Sequence, residues 1–432
     1  MSEVSNNHIA AVAPPASPPV VHRSVDRNIV LFTVERANDG VPHITYFGVR
    51  ESTIRRMSVH FENIFSLDQG PFMQASATYD GLRAIEMVQD DPADVEAYLA
   101  AHHTGYLDSV IESRSHPVHG LLDVPAIHYG VLRLADKYVA TDTFMHVVTK
   151  PFCEIWPSHL SKWIERTHRL RTRAYSEFQP ADAFLDEGAL SWDQTALYPN
   201  PVPMYVFALK HEILHALLPV LACDIGSTFQ RDPDSLEDFV GGDGSYRYLK
   251  WSPLGEYDQK ELQEGCRVMH LDCARKLDFE VFVDQRIQAA PHRCRYSTNG
   301  TIDGYELPCI SGLDRFWTRR VYSVLNSPTW SIDLLQLPTE LTADTFPEGA
   351  CASCAFAMIN HIRDAQYVIW VKLPIYFRLF GLVPAEWGFG PDRVKRIAML
   401  PKIWRTEVTE ILERGPGEGQ TIYDQLRNGA PR

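Results

Sequence analysis

The chain has no apolar run of membrane-spanning length, because Lys, Glu, His or Pro interrupts the longest candidates. A transmembrane helix is therefore not expected. It has no block of Lys or Arg either. With 41 basic against 55 acidic residues and a formal net charge of -14, a protein that holds nucleic acid by phosphate contacts is not expected. There is no G-x-x-x-x-G-K-S/T phosphate loop, no G-x-G-x-x-G dinucleotide unit and no G-x-S-x-G nucleophile elbow, so three common enzyme signatures are missing. The opening MSEVSNNHIAAVAPPASPPVVHRS lacks a basic stretch followed by an apolar one, and no secretory signal is read. Cysteine is sparse. Eight in 432 residues point to reduced thiols or metal ligands in a cytoplasmic or nuclear protein, not to a disulfide framework. The sequon Asn299-Gly300-Thr301 is accordingly expected to stay unmodified.

What is present is an ordinary globular balance, 45% hydrophobic and 22% charged, in a chain long enough for two or three domains. The pattern predicts an α+β fold: a small mixed sheet with clustered helices, followed by a mostly helical C-terminal region. Residues 1–25, rich in Pro, Ala and Ser, are read as a disordered leader. Asn28–Glu35 and Pro42–Val49 read as two strands of a hairpin around the turn Asn38–Gly40. RESTIRRMSVHFENIFSL then reads as one helix, with Ile54, Phe61 and Phe65 as core residues of one face. A short strand, RAIEMV, leads to a helix capped by Asp91 with Pro92 in its first turn. Two amphipathic helices follow and end at Pro157. Beyond residue 163 a helical extension (164–223), a polar Gly-rich loop (224–261), a Cys-containing helical region (262–390) and a tail (391–432) are expected.

Two patterns carry possible chemistry. HEILH, residues 211–215, matches the H-E-x-x-H pattern of zinc peptidases. On a helix His211 and His215 would share one face and bind zinc, with Glu212 as general base. The position six beyond His215 is Leu221, so a third His ligand is absent there. Asp234, Glu237 and Asp238 lie where a carboxylate third ligand would come. The competing reading is a packed helix without metal. Cys351-x-x-Cys354 has the spacing of half a zinc knuckle. Cys294 and Cys309 would supply the other half, with His292 or His361 as substitutes, and the alternative is that all are small buried hydrophobes. Cys153, Cys223, Cys266 and Cys273 are assigned to the core.

DRNIVLFTVE, YFGVRESTIRRMSVHFENIFSL, MVQDDPADVEAYLAAHHTG, YGVLRLADKYVATDTF and WPSHLSKW together resemble the BTB/POZ domain, in the form found in expanded families of mushroom-forming fungi. The likeness covers residues 26–163, with Leu132, Leu134, Ala135, Asp136, Lys137 and Tyr138 all in the places of its L-x-L-A-D-K-Y run. One departure is Arg50, where that family usually has His. Weaker similarity continues through PVPMYVFALKHEILHALLPVLAC and VIWVKLPIYFRLFGLVPAEW. The resemblance implies a non-enzymatic protein that pairs with itself or another BTB protein. In some relatives it also implies docking on a cullin as a ubiquitin-ligase adaptor. The rival expectation is the zinc peptidase of His211, Glu212 and His215.

Overall fold

Ile29, Val30, Leu31 and Phe32 form an unbroken apolar run, as a strand covered on both faces requires. In the computed structural model this run opens the central strand of a five-stranded sheet. Its strands are β1 (Val20–Arg23), β2 (Ile29–Arg36), β3 (Pro42–Val49), β4 (Thr78–Tyr79) and β5 (Leu82–Glu86), in the order β1-β3-β2-β5-β4. The structure describes residues 20–23, 27–36, 42–66, 78–102, 126–167, 192–193, 200–226, 245–246, 253–284, 308–326, 337, 346–379, 382–383, 387, 393–414 and 423. The hairpin is as expected: β2 and β3 are antiparallel from Ile29↔Val49 to Arg36↔Pro42. The turn at Asn38–Gly40 lies outside the described residues. β5 runs parallel to β2, so the sheet is mixed. Val30, Tyr46 and Ala84 pack together, with the Tyr79 ring stacked on Tyr46 at 4.0 Å. Leu31 and Phe47, one position along, are buried too. The expected leader is corrected at Val20–Arg23, where Val20, His22 and Arg23 pair with β3 as a parallel strand.

The single helix expected after β3 is two helices. α1 (Glu51–Met57) and α2 (Val59–Ser66) are separated by Ser58 in extended conformation, φ -145° and ψ 126°. Ser58 ends one helix and starts the next. Its N–H donates to the Ile54 carbonyl at 3.1 Å, and its Oγ accepts from the Phe61 N–H at 3.2 Å. The hydroxyl also donates to the Tyr138 carbonyl at 2.5 Å, and Ser58 bridges Ala140. Those distant partners stabilise the break, because a small side chain with both donor and acceptor satisfies two backbone groups there, the Phe61 N–H and the Tyr138 carbonyl. Ile54 and Phe61 are buried as expected. Phe65 is only half-buried, with the guanidiniums of Arg55 and Arg83 over its ring at 5.1 Å and 5.5 Å.

α3 (Pro92–Ala100) begins as its sequence dictates. Asp91 accepts from the N–H groups of Ala93 and Asp94, and Pro92 occupies the first turn. α4 (Ala126–Lys137) and α5 (Asp142–Ile155) are the two expected amphipathic helices. The chain divides into two compact units, Met1–Ile111 with Pro125–Lys150, and Glu112–Val124 with Pro151–Arg432. The sequence boundary at 163 falls within the second.

The second unit contains α6 (Pro201–Lys210), α7 (Leu218–Gly226), α8 (Glu256–Lys276), α9 (Pro308–Phe316), α10 (Ala352–Val371) and α11 (Lys402–Arg414). Two-residue strands, Trp192–Asp193 and Ser245–Tyr246, pair in parallel. Two expectations are corrected. The polar stretch 224–261 contains the strand at Ser245–Tyr246, and α8 already starts at Glu256, with Glu256 and Asp258 set favourably against the helix dipole. The supposed tail 391–432 carries a helix, Arg393–Met399, then α11, whose Trp404 and Val408 are buried. Tryptophans act as packing residues throughout this unit. Trp163, Trp370 and Trp387 lie in series at 5.8 Å and 5.4 Å between ring centres. Three indole N–H groups of this unit are bonded: Trp370 donates to the Ser158 carbonyl, Trp387 to that of Ala216, and Trp156 to Asp224. Among the described residues no helix is long and apolar enough to cross a membrane.

Candidate functional site

HEILH does not lie on one α-helix. α6 ends at Lys210, and His211 caps it in extended conformation, φ -127° and ψ 105°. Its ring stacks on Phe207 at 4.1 Å. Glu212–Leu217 follows as a 3-10 helix, and only at Leu218 does α7 begin. A tight turn of three residues per repeat does not stack His215 one turn above His211. The one-face histidine pair that a zinc peptidase needs is therefore lost. Burial of Leu214, Leu217 and Leu218 accompanies this local winding, and Glu212 faces solvent. Asp234, Glu237 and Asp238 lie outside the described residues.

The group of ligating side chains that does converge is Cys309, Cys351 and Cys354, whose sulfur atoms all lie within 4.8 Å of one another. Cys309 is the second residue of α9. Cys351 caps the N-terminus of α10, and Cys354 sits in its first turn. Two glycines let these segments meet. A Cβ on Gly312 would come 2.3 Å from the Glu348 carbonyl, so only glycine allows the 346–350 segment to lie against α9. Gly349 adopts φ +81°, which L side chains rarely take, in a turn closed by Ala350 N–H to Pro347 O at 3.1 Å. The Cys351 N–H then donates to Cys309 Sγ at 3.2 Å. The sequence signal for this placement was Pro347-Glu348-Gly349 just before the C-x-x-C, a turn leading into a helix start.

The other candidates separate from this cluster. Cys294 and His292 lie outside the described residues. His361 is no substitute ligand: it is buried further along α10, with Nε2 2.8 Å from the Lys276 carbonyl and its ring against Trp317, Phe282 and Trp404. Cys223, Cys266 and Cys273 are core residues as expected. Burial pushes the Cys266 thiol up to about 12 and raises Cys223 and Cys273 as well, which suits inert hydrophobes. Cys153 corrects its assignment, since it is exposed.

Sequence reasoning missed a buried charge cluster in the same unit. Lys372, fully buried, donates to Asp272 Oδ2 and Glu407 Oε1, both at 2.5 Å. Lys276 donates to Glu407 Oε2 at 2.6 Å, and the Tyr376 hydroxyl donates to Asp272 at 2.6 Å. Two ammoniums balance two carboxylates. Burial opposes ionisation of Asp272, but the ammoniums of Lys276 and Lys372 and two hydrogen bonds outweigh it, so its carboxyl is held below the usual range. Glu407 is held low against burial by the same two lysines. For Lys372, burial alone would lower the value, yet Asp272 and Glu407 raise it above the ordinary lysine range.

The sign of the pH dependence follows. A depressed carboxyl contributes stability that is fully present above its unfolded value, roughly 4, and is lost as pH falls through the folded value. The raised Lys372 contributes below the ordinary lysine value and loses its contribution only as pH climbs through the still higher folded one. The second unit is therefore expected to lose stability steadily below about pH 4 and to hold it through neutrality. Urea titrations at pH 7 and pH 3 check this. A pH-independent midpoint would show that the cluster is not linked to folding.

In the first unit two segments 48 residues apart meet at Asp90. Its Oδ2 accepts from the Tyr138 hydroxyl at 2.5 Å, and its Oδ1 accepts from Lys137 Nζ at 2.7 Å. Burial, and then the hydrogen bond and charge of Asp90, raise the Tyr138 hydroxyl far above its ordinary value. The next residue, Val139, is 57% exposed and holds φ 49°, a strained conformation for a β-branched residue. Its carbonyl accepts from the N–H of Val59, which is also exposed. No protein-family model matches the chain, and neither a curated protein nor a solved structure matches it.

Proposed function

We propose that the chain is a non-enzymatic BTB/POZ-type protein-interaction protein of the cytoplasm or nucleus. In this reading the first unit pairs with a second copy or with another BTB protein, and a cullin is the further partner that the resemblance implies. The observation that supports it is the lock at Asp90. The D-D-P and A-D-K-Y pieces of the resemblance are far apart in sequence, yet Lys137 and Tyr138 both donate to Asp90. Leu132, Leu134 and Ala135 from the same run are fully buried beside them in the chain, as are Ile54 and Phe61 from the long signature. Residues that a family pattern requires together thus have a shared physical reason for being there. Val139 is the left-handed residue that ends α4, where the Ala140 N–H closes on the Ala135 carbonyl at 2.8 Å, and it leaves this turn exposed. The peptidase reading is not carried further, because His211 and His215 lack the common helical face it needs.

Light scattering on the full chain tests the proposal. A dimer mass that persists into the low micromolar range is the expected result. A monomer at every accessible concentration, with no heterodimer formed on mixing with other BTB domains, would remove the pairing on which the reading rests.

A further inference from the structure

We infer that Cys309, Cys351 and Cys354 form a binding site for one zinc ion, which clasps α9 to the start of α10. The inference is independent of how the first unit is read. Zinc–thiolate bonds are ~2.3 Å long, so three sulfurs on a tetrahedral ion stand ~3.8 Å apart. The three sulfurs already lie within 4.8 Å of one another, and gathering them needs side-chain adjustment of about an ångström. No chain rearrangement is involved.

The scaffold around them is built for that approach. Gly312 admits the backbone of 348–350, Gly349 takes the left-handed turn, and Arg315 Nη2 ties the Glu348 carbonyl at 3.3 Å. Each of these acts on the short segment that carries Cys351 to Cys309. A peptide N–H aimed at sulfur, as Cys351 aims at Cys309 Sγ, favours the thiolate over the thiol. The start of the 20-residue α10 adds its partial positive charge at Cys351 and Cys354. Soft thiolates at this density select zinc over magnesium or calcium, which require oxygen ligands. Three inert core thiols would need neither the N–H contact nor the two glycine positions. The ion, once bound, closes a connection between residues 309 and 351, so its removal loosens the second unit.

Differential alkylation of the intact, reduced chain is the test, with zinc measured by atomic emission on the same sample. One equivalent of zinc is expected, with Cys309, Cys351 and Cys354 protected from alkylation until a chelator is added. Exposed Cys153 should be modified at once in both states. Cys309→Ser and Cys354→Ser should each reduce bound zinc at least tenfold, while Cys153→Ser leaves it unchanged. Cobalt titration of the wild type supplies a readout that survives a poorly folding variant: sulfur-to-cobalt charge-transfer bands must appear and be displaced by zinc. Equal alkylation of the three cysteines with and without chelator would overturn the inference. So would a disulfide between any two of them in freshly purified protein, or zinc content unaffected by Cys309→Ser and Cys354→Ser.

Discussion

Lys372→Met is expected to lower the stability of the second unit by about 3–5 kcal/mol, the usual cost of removing one partner from a buried ion pair. The methionine approximates the volume of the lysine stem, so packing changes little. The loss is electrostatic. Asp272 and Glu407 would each lose a donor at 2.5 Å, leaving two buried carboxylates to share Lys276. Asp272 keeps the Tyr376 hydroxyl and a Lys276 contact at 3.8 Å, and Glu407 keeps Lys276 at 2.6 Å. One negative charge then has no counterpart, in a place where water cannot solvate it. Adding Glu407→Gln to Lys372→Met restores charge balance and should recover much of the loss, because Lys276 then faces Asp272 alone. Denaturant midpoints of the wild type, both single variants and the double variant check the argument. A purely additive cycle would show that the cost is packing and not charge.

This cluster shows why part of the fold could not be read from sequence. Its charged members come from α8, from Lys372 just past the end of α10, and from α11, and Lys276 and Glu407 are 131 positions apart. No local pattern announces that a lysine after an apolar run will be buried. Glu407 was missed for a second reason: Gly415, Pro416, Gly417 and Gly419 gave the C-terminal residues the composition of a tail and drew attention from the helix before them. The opposite held where the physics is local. Asp91 followed by Pro92 announces a helix start through its own side-chain bonds, and the apolar strands either side of a polar turn announce a hairpin.

Breaks inside helices were the least legible feature. Ser58 sits among residues with helical spacing, and only the Tyr138 carbonyl, 80 positions on, and Ala140 reveal why the chain bends there. His211 looked like a mid-helix ligand because five letters matched a motif, while its extended backbone sets it between α6 and a 3-10 turn. The thiol cluster stands between these cases. Cys351 and Cys354 were legible as a pair by spacing, and Cys309 was among their named partners. What spacing could not show is the Gly312 contact that brings α9 within reach.

Phe61→Ala is expected to remove about 3–5 kcal/mol from the first unit, the range for deleting a fully buried phenylalanine. Phe61 is 1% exposed. Its ring stacks on Tyr138 at 5.1 Å between centres, lies 6.4 Å from Phe65 and meets His60 edge-on at 5.7 Å. The cavity would open beside Tyr138, whose hydroxyl is bonded to Asp90 and whose carbonyl accepts from Ser58. Loss of the ring therefore loosens the Ser58 break and the Asp90 lock together, and a domain with only about 5–15 kcal/mol in hand would be brought close to unfolding. Phe65→Ala makes the informative control. That ring is half-buried and covered by two guanidiniums, so its removal should cost roughly 1 kcal/mol, mostly cation–π attraction and partial burial. Thermal melts of both variants decide the matter. Equal losses for the two would mean that Phe61 is not the residue on which α2 is seated, and the pairing proposed for this unit would then need a different core beneath it.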